Sequence, residues 1–157
     1  MLNARFSTPL CLIRGRFILA LGGYTALFTT TQSCEVYDTQ LDQWFPMASL
    51  PIEFFVNSTT VVMNHRTLYL MPGENMQQVG NQCKIWYLDT GSRTEFIGDR
   101  NQITYGAIIG QKTWQALVIN STDFVRSMPT AGIQLNNTQM LIFGGQKTMT
   151  FILDTDS

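Results

Sequence analysis

An apolar run closed by two glycines, Ile18-Leu19-Ala20-Leu21-Gly22-Gly23, returns late in the chain as Leu141-Ile142-Phe143-Gly144-Gly145. An altered copy, Leu68-Tyr69-Leu70-Met71-Pro72-Gly73, lies between them. Self-similarity at a period of roughly 20 to 50 residues marks stacked supersecondary units, each too small to bury its own hydrophobic face. Gly23 and Gly73 are 50 residues apart, room for four short strands and their turns.

Each copy opens as a hairpin, with short apolar runs on either side of a polar turn. The first is Leu10 to Ile13, an Arg14-Gly15 turn, then Arg16 to Gly23. The second is Thr59 to Met63, Asn64-His65-Arg66, then Thr67 to Gly73. The third is Ala131 to Leu135, Asn136-Asn137-Thr138, then Gln139 to Gly145. A third strand follows in each, ending in Asp-Thr: Cys34 to Thr39, Cys83 to Thr90 and Phe151 to Thr155. Tyr37 and Tyr87 each stand fourteen residues after the glycine of their copy, and Gln43-Trp44-Phe45 supplies a fourth strand, with Phe96 expected near the place of Trp44 in the second copy. Four antiparallel strands per period make a propeller blade.

The stretch 98–129 breaks the rhythm, because Gly73 and Gly145 are 72 residues apart, too many for one period and too few for two. Two readings stay open. Tyr105 to Gly110 is a glycine-ended strand with Gln115 to Asn120 as third strand and Phe124 to Pro129 as fourth, or Ile103 to Ile109 and Trp114 to Ile119 form a hairpin around Gln111-Lys112. The expected fold is all-β: a single array over 1–157 of blades of four-stranded antiparallel sheets, in three to four repeats. The units span about 10–51, 57–97, an irregular 98–129 and a partial 130–157.

The conjunction of Gly22-Gly23 after an apolar strand, Tyr37, Trp44 and a Met47-Ala48-Ser49-Leu50-Pro51 tail resembles the kelch repeat, the unit of one class of β-propeller. The repeat positions on this reading are Gly22, Gly23, Tyr37, Trp44, Gly73, Tyr87, Phe96, Gly144 and Gly145, although Pro72-Gly73 and Phe96 depart from the double glycine and the tryptophan. Tyr37 and Trp44 are expected to fill the space between neighbouring blades. The resemblance implies a rigid interaction scaffold that binds another protein through its blade loops, with no catalysis of its own. The alternative is a fragment of a propeller enzyme, galactose-oxidase-like or sialidase-like, whose catalytic residues are absent. Because a closed propeller has about 4 to 8 blades, three or four repeats also raise a homodimer that completes one ring.

Composition narrows the partners. Lys plus Arg number 10 against 11 Asp plus Glu, a net charge of −1, and only 13% of residues are charged. No basic field offers itself to a phosphate backbone, so nucleic acid is not an expected partner. Apolar runs fall short of the roughly 20 residues of a membrane helix, and Arg14 and Arg16 interrupt the apolar stretch from Pro9 to Gly23, which therefore reads as folded structure rather than a signal segment. Three cysteines without a Cys-x-x-Cys pair point to a reduced, cytoplasmic compartment, against which stand three Asn-x-Ser/Thr triplets at Asn57, Asn120 and Asn136.

Chemistry is sparse in the sequence. His65 is the single histidine and falls in a turn, so neither a histidine triad nor a copper site built on two histidines can be assembled. Gly-Gly pairs lead to no helix and no Lys-Ser/Thr, so a phosphate loop is absent, and no cofactor is expected. Cys34 and Cys83 read as small buried fillers at equivalent places, with a disulfide between them left open. The loops Tyr24 to Ser33 and Glu74 to Gln82 are the recognition candidates, with Tyr24 and Phe28 as partner-contact residues.

Overall fold

The computed structural model describes residues 1–51, 58–71, 82–91, 109, 112–120, 129–144 and 150–155. Among them the chain forms three antiparallel sheets. The first runs in chain order through β1 (Leu10–Ile13), β2 (Phe17–Leu21), β3 (Cys34–Asp38) and β4 (Gln43–Met47). The second does the same with β5 (Thr59–Met63), β6 (Thr67–Met71), β7 (Gln82–Asp89) and β8 (Gln115–Asn120). In the third, β10 (Gln139–Gly144) lies between β9 (Pro129–Gln134) and β11 (Thr150–Asp154). These are blade-like sheets. Their first strands succeed one another, β1 beside β5 and β5 beside β9.

The hairpin turns follow from local backbone chemistry. Arg14 (φ 53°) and Gly15 (φ 65°) take left-handed conformations, as do Asn64 (φ 52°) and His65 (φ 55°). Two successive left-handed residues give the turn whose twist matches that of the flanking strands. The turns close with Arg16 N–H donating to the Ile13 carbonyl at 3.1 Å and Arg66 N–H to the Met63 carbonyl at 2.9 Å.

A second device locks each hairpin to its third strand. Arg16 forks onto Asp38, with Nε to Oδ1 at 2.7 Å and Nη2 to Oδ2 at 2.6 Å. Arg66 does the same to Asp89 at 2.6 and 2.5 Å. The threonine after each aspartate donates its N–H to the carbonyl of the turn: Thr39 to Arg16, Thr90 to Arg66, and in the third sheet Thr155 to Thr138. The recurring Asp-Thr pairs are turn chemistry of this kind.

This lock sets a register that differs from the tyrosine spacing. Asp38 pairs with Phe17 and Asp89 with Thr67, so Val36, opposite Leu19, holds the place of Tyr87, opposite Tyr69. Cys34, opposite Leu21, corresponds to Ile85 and not to Cys83. The connection between second and third strands is one residue longer in the second sheet, and a loop absorbs such an insertion more readily than a bidentate ion pair can be displaced.

The irregular stretch resolves differently from both readings. Gln115–Asn120 is the fourth strand of the second sheet, with Gln115 opposite Tyr87, where Phe45 stands opposite Val36 in the first. Its alternation explains the choice: Leu117 and Ile119 pack on the core between second and third sheets, while Val118 points outward at 45% exposure. Ile109 is helical and wholly buried in the core between first and second sheets. The rest of 98–111, with 121–128 and Phe96, lies outside the described residues.

Two cores hold the sheets together. Ile13, Phe17, Leu19, Leu21 and Val36 meet Leu68, Leu70 and Leu88 of the second sheet. On its other face Val61, Met63, Tyr69, Met71 and Ile85 meet Met140 and Ile142 of the third. Strand β6 thus buries alternate residues into different cores, so a strand with period-two geometry reads as a continuous apolar run. Each fully buried Leu or Ile contributes about 1.5–3 kcal/mol. At Gly132 a Cβ would lie 2.4 Å from Val61 Cγ2, so glycine there lets β9 approach β5.

Candidate functional site

The described loop with the most exposed apolar surface joins β2 to β3. Its base is built on buried charge. Arg5 donates through Nη1 to the carbonyls of Gly22 (3.0 Å) and Ser33 (2.5 Å), and through Nη2 to Ser33 Oγ (2.9 Å) and Glu35 Oε1 (2.5 Å). One guanidinium therefore ties both ends of the loop to β3. Glu35 also accepts from the N–H groups of Leu2 (2.7 Å) and Asn3 (3.0 Å). Both side chains of the pair are almost fully buried. Burial alone would raise the Glu35 carboxyl, but the Leu2 N–H, the Arg5 guanidinium and the Asn3 N–H outweigh it and hold the group below the usual range.

Above this base the N-terminal segment crosses the loop. Phe6 and Tyr24 exchange backbone hydrogen bonds of 3.0 and 2.9 Å. Gly23 (φ 94°) is required beneath them, since a Cβ would stand 2.3 Å from Thr8 Oγ1 and 2.8 Å from the Phe6 carbonyl oxygen. The Phe6 ring stacks on Tyr24 with centroids 5.4 Å apart and meets Phe28 edge-on at 5.2 Å. The tip is a tight turn closed by Thr25 N–H to the Thr29 carbonyl (2.8 Å) and Phe28 N–H to the Thr25 carbonyl (3.0 Å). Phe28 sits there at φ 58°, an uncommon conformation for a bulky residue. It is 77% exposed and its neighbour Leu27 84%.

The structure thus gathers Tyr24 and Phe28 into one aromatic lip and adds Phe6. The signal for its base was in the sequence, a lone Glu35 inside the otherwise apolar Cys34-Glu35-Val36-Tyr37 strand, which requires a buried partner.

The other expected positions are dispersed. Gly22 (φ 57°) and Gly23 end β2. Tyr37 and Trp44 pack on each other at 5.0 Å, on the face of the first sheet turned away from the second, so they do not fill the space between those two sheets. The reason is the register: Tyr37 lies opposite Ile18, and the core-facing residue of β3 is its neighbour Val36. Tyr87 stacks on Tyr69 at 5.6 Å and donates to Gln115 Oε1 at 2.5 Å. Gly144 ends β10 at a bulge opposite Pro129. Gly73, Phe96, Gly145 and residues 74–81 of the second loop lie outside the described residues.

Reactive side chains are held out of play. Burial pushes the Cys11 thiol up to about 12 and the Cys34 thiol to about 11. Both are free, so Cys34 takes part in no disulfide. His65 is exposed in its turn, where its carbonyl accepts the Arg14 N–H at 3.2 Å. Among the described residues, no cluster of three or more His, Cys, Asp or Glu side chains could hold a metal, and no helix is long and apolar enough to cross a membrane.

No protein-family profile matches the chain, and no curated protein does. Solved structures do match. YjhT is similar in fold over 98% of this chain and 43% of its own, with a TM-score of 0.51 and 11% sequence identity. The chain thus spans less than half the length of that protein. At this identity the likeness concerns fold alone: an all-β, multi-bladed, propeller-like arrangement. It also corrects the expectation of a chain without catalysis of its own. The three sheets resemble partial propeller blades and match less than half of that protein. The lack of a histidine pair or acidic cluster in a chain that spans 43% of that protein therefore carries no weight against catalysis, because catalytic groups on such scaffolds come from several loops.

Proposed function

We propose that this chain is a three-blade portion of a kelch-type propeller enzyme, in which the 22–33 loop forms a fixed aromatic lip that contacts a saccharide. The observation that carries the reading is the match of nearly the whole chain to 43% of a larger propeller-like protein. Two further features support it. The Gly22-Gly23, Tyr37, Trp44 and Met47 to Pro51 pattern resembles kelch, and the enzymes which that resemblance brings in, galactose-oxidase-like and sialidase-like, act on sugars. Flat stacked rings of Phe6 and Tyr24 with Phe28 at the edge offer an apolar surface to the C–H face of a pyranose.

The test is ligand-observed NMR of the purified protein against neutral and anionic monosaccharides, repeated with Phe28→Ala. Saturation transfer to one saccharide class, lost in the variant with its fold intact, is the expected result. Absence of transfer to every saccharide refutes the reading.

A second reading draws on the exposure of Leu27 and Phe28: the lip is a hot spot for another protein, since rigid aromatics at loop tips are common anchors. Capture of a specific protein by the wild type and not by Phe28→Ala, with no saccharide signal, would favour it.

A further inference from the structure

We propose that a second copy of this chain covers both open ends of the array, third sheet against first sheet at two identical junctions, so that two copies close one six-sheet ring.

The argument rests on equivalent rows of residues. Across the first sheet, Cys11, Leu19 and Val36 are directly opposed, and across the second, Val61, Tyr69 and Tyr87. Each row packs into the core shared with the following sheet. The corresponding row of the third sheet is Ile133, Leu141 and Ile152. It has the same apolar character, yet Ile133 is 54% and Ile152 64% exposed.

The opposite faces give the converse. Val62, Leu68 and Leu88 form the row by which the second sheet packs on the first. Its equivalent in the first sheet is Leu12, Ile18 and Tyr37, where Leu12 is 55% exposed and Leu10 beside it 57%. Residues at the array's two ends therefore match the two sides of a junction that the chain already makes twice. Neither row carries a charge, so their approach leaves no ion unpaired. The N-terminal segment sits on the Glu35 end of the first sheet's outer face and leaves Leu10, Leu12 and Ile18 as the seat.

The arithmetic of the ring fits two copies. Six sheets fall within the range of about 4 to 8 for closed propellers, and two spans of 43% approach the full length of YjhT. A head-to-tail contact repeated by a two-fold axis closes on itself and avoids open growth. The inference uses sheet geometry and chain length, not the aromatic lip, and stands or falls separately from the saccharide reading.

The experiment is light scattering coupled to size exclusion on the wild type, Ile152→Arg, Leu12→Arg and an equimolar mixture of the two variants, each checked by circular dichroism. The wild type is expected at twice the 17.8 kDa chain mass. Either variant alone places an arginine in both junctions, and association should weaken by about a hundredfold or more. In the mixture one junction joins two unaltered faces, so a dimer held at one end should reappear. A monomeric wild type at about 100 μM, far above the Kd of a standard interface, overturns the proposal and assigns the faces to further sheets of the same polypeptide. Polydisperse growth overturns closure. A dimer lost in Ile152→Arg but kept in Leu12→Arg overturns the head-to-tail arrangement.

Discussion

The two Arg–Asp forks provide an internal experiment, because the same chemistry recurs in different surroundings. Arg16–Asp38 and Arg66–Asp89 share donor atoms, acceptor atoms and distances to within 0.1 Å. They differ in burial: the side chains of the first are 14% and 0% exposed, those of the second 44% and 37%. Asp38 also accepts the N–H groups of Gln40 (2.9 Å) and Leu41 (3.3 Å), whereas Asp89 accepts that of Gly91 (2.9 Å). Asp38→Asn leaves Arg16 held over the Phe17 ring at 5.1 Å without its counter-charge in a largely dry site, at a cost of about 3 kcal/mol. Asp89→Asn removes an interaction already screened by water, and its cost should stay below about 1 kcal/mol. In urea denaturation at pH 7, with a slope of about 2 kcal/mol/M, the midpoints should fall by about 1.5 M and less than about 0.5 M. Equal shifts for the two variants would refute the claim that burial, and not fork geometry, sets the worth of the pair.

Acid should erode the same difference. Burial works to raise the Asp38 carboxyl, but Arg16 and the two backbone donors hold it below its ordinary 3.8. Its stabilisation is therefore complete above that value and lost as pH falls through the lower folded one. Wild type and Asp38→Asn should converge in stability at the acid end of a pH series of urea melts. Gly23→Ala should destabilise by about 1–3 kcal/mol, since the new Cβ meets the Phe6 backbone and the residue must keep a left-handed φ; thermal denaturation reads this out. In a Cys83→Ser background, the buried thiols of Cys11 and Cys34, raised to about 12 and 11, should resist a thiol reagent at pH 8 until denaturant is added. Phe28→Ala should leave the melting temperature within about 1 °C, because a mostly exposed side chain contributes little to folding.

The sequence by itself determined the repeat, the hairpins and the sheet class. Those are local properties: left-handed turns favour Gly15 and Asn64, apolar runs demand burial, and the Asp-Thr endings recur where a turn carbonyl needs a donor. Three matters were settled only in three dimensions. The fourth strand of the second sheet came from Gln115–Asn120 across a long excursion, because strand pairing depends on which edge is open and which face needs Leu117 and Ile119. The register of the third strands followed the ion-paired aspartates, so Tyr37 faces away from the core where spacing had placed it inside. The aromatic lip joined Phe6 to Tyr24 and Phe28 because Arg5 and Glu35, thirty residues apart, could not be buried without each other. Spacing along a chain records what a residue's neighbours require, and a lone Glu35 in an apolar strand records that a partner is needed, but which distant residue supplies it is decided only when the chain folds.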